Sequence, residues 1–487
     1  MIEWGISANS HDAALAVFDN NKCVFASHAE RFSGKKNDAH LNQKLVSYAL
    51  QWGEPDQIAW YEKPFKKTLR QWRAGQGWLL HENNIKKYVQ SYAVNAPIKT
   101  VSHHHSHAAA SYYTSPFQEA TVICIDAIGE WKTLSIWDAK GTKLKRIFSQ
   151  SYPDSIGLWY SAMTKRIGLK PNEDEYILMG MAAYGDSTRF FNDILTTFFK
   201  KIYQNSPRIK FKHNLHKGCD WWRSECNSKQ DFYDIAAATQ AVYQYLLKII
   251  SNWARSKSPS GNLVLTGGCA LNCAANSCIA SDWNDVWIMP NPGDAGNALG
   301  AVLALNQDFT EWQSPYLGYN IDNPYPVDEL VKELENRSMA GVANGRAEYG
   351  PRALGNRSLL ADPRGSDIKD SVNRIKKRQQ FRPFAPAILE EHASDYFSGP
   401  VGPYMQFTAR CRYPKEFPAI VHKDGTSRVQ TVSKQDNPGF RRLLEAWYER
   451  TGCPMLLNTS LNIKGKPIVN TEQDARDFQI YYGVRVW

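Results

Sequence analysis

Asn262 to Asn276 reads NLVLTGGCALNCAAN. An apolar run closes on a threonine and two glycines, and small residues follow: a buried strand, a tight turn, then a helix. The same grammar recurs along the chain. TVICID (Thr121–Asp126) is a second buried run ending on a polar residue, and VWIMPNPGDAGNALGAVLAL (Val286–Leu305) is a strand, a loop opened by Pro290 and Pro292, and a small-residue helix. Near the start, WGISANSHDAALAVF (Trp4–Phe18) and KCVFASHAE (Lys22–Glu30) read as a strand, a turn and further strands. Short strands alternating with helices predict an α/β protein. Each polar cluster lies just beyond the carboxyl end of a strand, where open α/β sheets bind ligands.

A chain of 487 residues exceeds what one core organises, so at least two domains are expected. Thr310 to Tyr325 is rich in Pro, Tyr and Asn and lacks periodicity, whereas VDELVKELENRS (Val327–Ser338) is an amphipathic helix. The boundary is therefore placed to give domains 1–325 and 326–487. No apolar run approaches the ~20 residues that cross a bilayer, and no signal-peptide pattern opens the chain. The nine cysteines show no CxxC pairing and no disulfide framework, and Cys23, Cys124, Cys269, Cys273 and Cys278 sit in apolar runs. Zinc ribbons are excluded, no membrane association is expected, and a reducing cytoplasm is. The formal net charge of +10 and pI near 9.0 favour an anionic partner: a nucleotide, a phosphorylated substrate or nucleic acid.

Ser102 to Phe117 reads SHHHSHAAASYYTSPF. His103 and His107, four apart, share one helix face and can grip one ion; the alternative is a solvated histidine-rich turn. Asp126 closes a buried strand, where an unpaired carboxylate is costly, and Asp294 lies in a Pro-Gly-Asp-Ala-Gly loop before a helix. Two imidazoles and two carboxylates suit a divalent transition ion, with iron, zinc or manganese as candidates.

These strings carry a resemblance. GISANSHDAAL, ERFSGKKND, SHHHSHAAASYY, KPNEDEYILMGMAAYG, GGCALNCAAN, PGDAGNALGA, GPRALGNRSLLADPR, FRPFAPAIL, RVQTV and NTSLNIKGKPIV follow one another in the order of the O-carbamoyltransferase family, which includes nodulation-factor and antibiotic carbamoyltransferases, and they span nearly the whole chain. The resemblance implies an actin–hexokinase-like first domain and a YrdC-like second domain that forms carbamoyl-adenylate. It implies iron or another divalent ion on His103, His107, Asp126 and Asp294, with His104 and His105 in the spacer. Two departures stand out: Ala127 follows Asp126 where the family has glycine, and Cys269 replaces valine after the double glycine. An alanine is poorly suited to a loop that requires positive φ.

Gly267 and Gly268, at a turn before a helix, offer backbone amides to a phosphate, and Asn272 joins them as a nucleotide-binding candidate. A tight turn alone is the competing explanation. By resemblance His11 and Lys36 lie beside the nucleotide or reacting carbonyl. Asn172 to Glu175 form an acidic loop that serves equally well as a helix cap. In the second half, Arg346, Arg352, Arg357, Lys376, Arg378 and Arg382 crowd a short span, fit for polyanions such as carbamoyl phosphate and Mg-ATP. By resemblance Arg352, Lys376, Arg382, Arg428, Ser460 and Asn462 line that site, and strand alternation puts Asn458, Ser460 and Asn462 on one face.

The resemblance implies carbamoyl transfer from carbamoyl phosphate, activated by ATP, to a hydroxyl. For the acceptor, two basic segments interleave with aromatics. One spans Trp60 to Tyr88, with Lys63, Lys66, Lys67, Arg70, Arg73, Lys86 and Lys87 beside Tyr61, Phe65, Trp72 and Trp78; the other spans Arg208 to Arg223. Cations that track phosphates beside rings that stack bases predict DNA or a nucleotide as acceptor, such as 5-hydroxymethylcytosine in DNA; phage-type relatives acting on that base fit the family. A basic helix pair with its aromatics in the core is the plain alternative, and a small molecule or oligosaccharide the alternative acceptor. A sugar kinase needs neither the His–Asp set nor a second domain, and a non-catalytic nucleic-acid binder leaves both unexplained.

Overall fold

Thr121–Asp126 does form a buried strand, extended to Glu119–Gly129, and it is the centre of a five-stranded sheet. The computed structural model describes residues 1–487, which group into two compact units: Pro55–Glu311, and Met1–Glu54 together with Trp312–Trp487. No helix is long and apolar enough to cross a membrane.

In Pro55–Glu311 the sheet runs Asp285–Trp287, Asn262–Thr266, Glu119–Gly129, Lys132–Lys140, Lys143–Ser151 in spatial order. Asn262–Thr266 pairs parallel with the central strand, Leu263 opposite Thr121 and Thr266 opposite Cys124, while the last three strands form an antiparallel meander. Asn262–Thr266 and the Thr121–Ile125 stretch it pairs with are nearly continuous buried runs because both faces are covered. Helix Lys229–Lys257, opened by a Ser228–Asp231 capping box, packs against the central strand and turns Ile235, Val242, Leu246 and Ile250 inward. Helices His103–Tyr112 and Asn297–Asn306 pack on one another.

In the other unit the first residues form an antiparallel meander, Ile2–Ser7, Ala14–Asp19 and Lys22–His28. A second sheet runs Met339–Ala343, Arg357–Ala361, Met455–Ser460, Ala385–Leu389, Gln430–Val432. Alternation sends Leu360 and Leu456 to one face, beneath Leu330, Phe440 and Trp447 of helices Val327–Arg337 and Pro438–Thr451. Leu359, Met455 and Leu457 go to the other face, with Phe384, Phe417 and Phe478.

The α/β architecture is as expected. The segment that lacks periodicity, Thr310 to Tyr325, contains a strand, Tyr316–Ile321, paired with Gly345–Glu348. Its pairing hides the period that a lone aromatic- and Pro-rich strand fails to show. The compact units part at Glu54 and Glu311, and Met1–Glu54 groups with Trp312–Trp487.

Candidate metal centre and anion sites

One helical turn separates His103 from His107, and both side chains are buried. Their Nε2 atoms face each other at 3.1 Å. Asp126 Oδ2 lies 3.3 Å from His103 Nε2, and Asp294 Oδ1 lies 3.3 Å from both imidazole nitrogens. One ligand atom from each residue falls within 4.8 Å of all the others. The four expected ligands therefore converge from a helix, a strand end and the turn Asp294–Gly296.

Burial opposes a charge on His103, but Asp294 and Asp126 outweigh it and hold the imidazole well above its ordinary range. Burial likewise opposes charge on Asp294, yet His103 and His107 pull its carboxyl well below the usual range. The buried Asp126 and the half-buried Asp294 face two imidazole nitrogens, an N₂O₂ donor set whose chemistry fits a divalent transition ion. His104 points elsewhere: its Nδ1 meets Ser135 Oγ at 2.8 Å, and burial drives its pKa well down. His105 stacks on Trp137, its ring 5.4 Å away. Neither belongs to the cluster of His103, His107, Asp126 and Asp294.

Gly267 adopts φ +88, and its N–H donates to Pro292 O at 3.0 Å, so only glycine suits this turn. Gly268 N–H donates to Asp126 Oδ1 at 3.2 Å. The glycine turn and the metal centre thus share a carboxylate. Asn272 acts locally. Its Oδ1 accepts from Ala275 N–H at 3.0 Å, capping helix Cys273–Ala280, and its amide donates to Gln240 at 2.9 Å. Ala127 takes no left-handed φ, so its substitution for glycine strains nothing. Glu175 is the knot of the acidic loop, accepting from Ser161 Oγ and Asn172 N–H, each at 2.6 Å.

His11 and Lys36 belong to the unit of Met1–Glu54 and Trp312–Trp487. Asp12 Oδ2 is 3.0 Å from His11 Nδ1, and Lys36 Nζ donates to the buried Glu30 at 3.0 Å. Asp12, His28 and Glu30 complete this cluster. Burial works against the Asp12 carboxylate, but His11, His28 and Lys36 pull its pKa down. Burial lowers His28 to about 4. The sequence reading missed these three; the signal was their place inside the strings HDAA and ASHAERF.

The basic span sorts into two classes. Lys376 is buried, and its Nζ donates to Ser460 O, to Ser460 Oγ at 3.2 Å and to Asn462 Oδ1 at 2.9 Å. Burial, then Arg378 and Arg382, hold its pKa well below the lysine range. Lys376, Arg382, Ser460 and Asn462 are thus brought together. Arg428 has a buried Nε without a partner, and Arg352 is half-buried. Arg357 and Arg346 differ. Arg357 is fully buried and donates to the carbonyls of Tyr319, Asn344, Gly345 and Asn470, while Arg346 donates to those of Val24, Leu317 and Gly318. Both hold backbone and are not open to a polyanion. The strand ends at Ser460, and Asn462 arrives by a turn, its N–H donating to Ser460 O at 2.9 Å, so the expected three-residue strand face stops at two.

Two family models match: Carbamoyltransferase N-terminus over residues 3–303 and Carbamoyltransferase C-terminus over 331–486. Nodulation protein NolNO of Sinorhizobium fredii is 30% identical, covering 96% of this chain and 76% of its own length. The 3'-hydroxymethylcephem-O-carbamoyltransferase of Amycolatopsis lactamdurans is 28% identical, covering 95% and 94%. Among solved structures, full-length HypF in its phosphate- and nucleotide-bound form aligns over 63% of this chain and 55% of its own, at 14% identity and TM-score 0.36, too distant to argue from. With models covering both halves, His103, His107, Asp126 and Asp294 lie in a chain that belongs to the carbamoyltransferase family.

Proposed function

We propose that this carbamoyltransferase joins a carbamoyl group to a hydroxyl in two steps, with a mixed anhydride between them. In the first, carbamoyl phosphate, ATP and water yield carbamoyl-adenylate, pyrophosphate and inorganic phosphate. In the second, the hydroxyl oxygen attacks the carbamoyl carbon, the bond to the adenylate phosphate breaks, and AMP leaves with one proton released. The convergence of His103, His107, Asp126 and Asp294 carries this reading. A divalent ion held there, iron being the first candidate, supplies Lewis-acid stabilisation of charge developing on a phosphate leaving group. The division of labour follows the expected domains, an actin–hexokinase-like transfer domain over 1–325 and a YrdC-like activating domain over 326–487; family models over 3–303 and 331–486 support this split of the sequence, while Met1–Glu54 packs with the second half.

Arg352, Arg382 and Arg428 supply fixed positive charge for carbamoyl phosphate and Mg-ATP beside Lys376, whose Nζ is held in place by Ser460 and Asn462. The Gly267–Gly268 turn, with Asn272 behind it, is the seat assigned to the nucleotide, its two glycine N–H groups being spent on Pro292 O and Asp126 Oδ1. His11 is the proton acceptor for the attacking hydroxyl: its Nδ1–H donates to Asp12, which makes Nε2 the basic nitrogen. Lys36, held by Glu30, neutralises charge beside it. Nine free cysteines suit a reducing cytoplasm.

For the acceptor, the name of the cephem relative supports a hydroxymethyl group on a small molecule. The exposed aromatic and basic residues between Lys63 and Lys87 support a hydroxymethylated base, 5-hydroxymethylcytosine in DNA. Mass spectrometry after incubation with carbamoyl phosphate and ATP, offering both acceptors, tests the reading. A one-carbamoyl gain that needs both cosubstrates is expected; absence of any AMP or pyrophosphate would overturn it.

A further inference from the structure

Helix Pro64–Arg73 is amphipathic with its faces reversed. It buries Lys67, Thr68 and Arg70 and exposes Phe65, Leu69 and Trp72, which follow one another at four and three residues along one face. The inward face is polar and locked: Lys67 Nζ pairs with the buried Glu62 at 2.5 Å, and Asn83 donates to Thr68 Oγ1 at 2.8 Å. The outward face continues into Trp78, whose ring meets Trp72 edge-on at 5.9 Å. Phe65 is 64% exposed, Trp72 57% and Trp78 49%, although water is the costly place for such rings.

The surroundings are cationic. Lys66 and Arg73 lie on the same helix, and the Arg73 guanidinium sits 5.9 Å from the Trp131 ring. Arg146 lies over Trp137 at 5.6 Å. Burial, then Arg146 and Lys66, push the Lys132 ammonium below its usual range, which marks how closely these charges crowd. Two nearby carboxylates are spent inside: Glu62 on Lys67, Glu130 on the Lys63 N–H at 2.7 Å. This surface adjoins the metal centre. Tyr61, three residues before the helix, packs on His103 at 5.3 Å, and Trp131 follows the strand that carries Asp126. The second basic segment is different: Lys210 pairs with Asp154, Arg223 with Asp193, and Trp222 is buried on Phe190 and Phe198.

We infer that Phe65, Trp72 and Trp78, backed by Lys66, Arg73, Lys132 and Arg146, form a docking surface for a single nucleic-acid strand, which presents its hydroxyl-bearing base to the adjoining metal centre. Rings that stack bases and cations that neutralise phosphates are the two elements such a strand requires. Only the delivery of the base rests on the proposed carbamoyl transfer; binding of the strand does not.

The test is fluorescence anisotropy of a labelled ~20-nucleotide single strand with the full chain at ~50 and ~200 mM salt. Binding should weaken roughly tenfold or more between the two salts, and Trp72→Ala and Trp78→Ala should each weaken it roughly fivefold or more at low salt. Lys66→Glu with Arg73→Glu should flatten the salt dependence. Pyrophosphate release from ATP and carbamoyl phosphate, followed on the same variants, should be unchanged, which separates a lost surface from a failed activation reaction. No binding at low salt, binding indifferent to both tryptophans, or a dimer that Trp72→Ala dissociates would each overturn the inference.

Discussion

Asp126 divides its carboxylate between two structures: Oδ1 accepts the Gly268 N–H at 3.2 Å, and Oδ2 lies 3.3 Å from His103 Nε2. One side chain therefore ties the glycine turn to the imidazole pair. Asp126→Asn keeps Oδ1 as an acceptor but removes the negative charge. Metal content by mass spectrometry should fall from about one ion per chain to a small fraction, with the circular dichroism spectrum unchanged. Full metal retention would remove Asp126 from the ligand set.

Helix Asn297–Asn306 approaches helix His103–Tyr112 at Gly300, where an added Cβ would meet Ser106 O at 2.0 Å and Ala110 Cβ at 2.8 Å. Gly300→Ala should cost roughly 1–3 kcal/mol and push Asp294 away from both histidines. Urea unfolding and metal affinity should decline together; a neutral variant would show that the helices part freely.

His103→Ala removes a ligand in Pro55–Glu311, while Lys376 belongs to the other unit. If the two steps are divided as proposed, His103→Ala should abolish carbamoyl transfer yet leave pyrophosphate release from ATP and carbamoyl phosphate. Lys376→Met should do the reverse to activation while keeping full metal content. Loss of both activities in a folded His103→Ala protein would sink this division.

Arg357 donates to five backbone carbonyls from a fully buried position. Arg357→Met leaves those acceptors without donors and should destabilise its unit by roughly 3–5 kcal/mol, seen as insolubility or a large drop in Tm. A soluble variant with only a raised KM for ATP would return Arg357 to the ligand site.

His28 is buried, and burial lowers its pKa from 6.5 to about 4. The folded state resists the proton that the unfolded chain accepts, so stability is full above pH 6.5 and declines as pH falls from 6.5 towards 4. The loss should reach roughly 3 kcal/mol, read from urea midpoints across that window. His28→Asn should flatten the dependence.

The sequence alone determined what is local. The spacing of His103 and His107 places both on one helix face, the runs TVICID and NLVLT are buried strands, and Gly267 marks a turn. Each follows from the period of one element or the conformation of one residue. Tertiary structure decided what depends on distant segments. It brought Asp126 and Asp294 to the histidines, set Asp12 and Glu30 behind His11 and Lys36, and joined Met1–Glu54 to Trp312–Trp487. It also sorted residues of identical chemistry: Arg346 and Arg357 clamp carbonyls while Arg382 attends Lys376. The helix Pro64–Arg73 is the sharpest case, since its pattern left open whether the aromatics enter the core, and the fold exposes Phe65 and Trp72 and buries Lys67 and Arg70. A periodicity shows that two faces differ; which face turns inward depends on what the remainder of the chain offers it, and here that is Glu62 and Asn83.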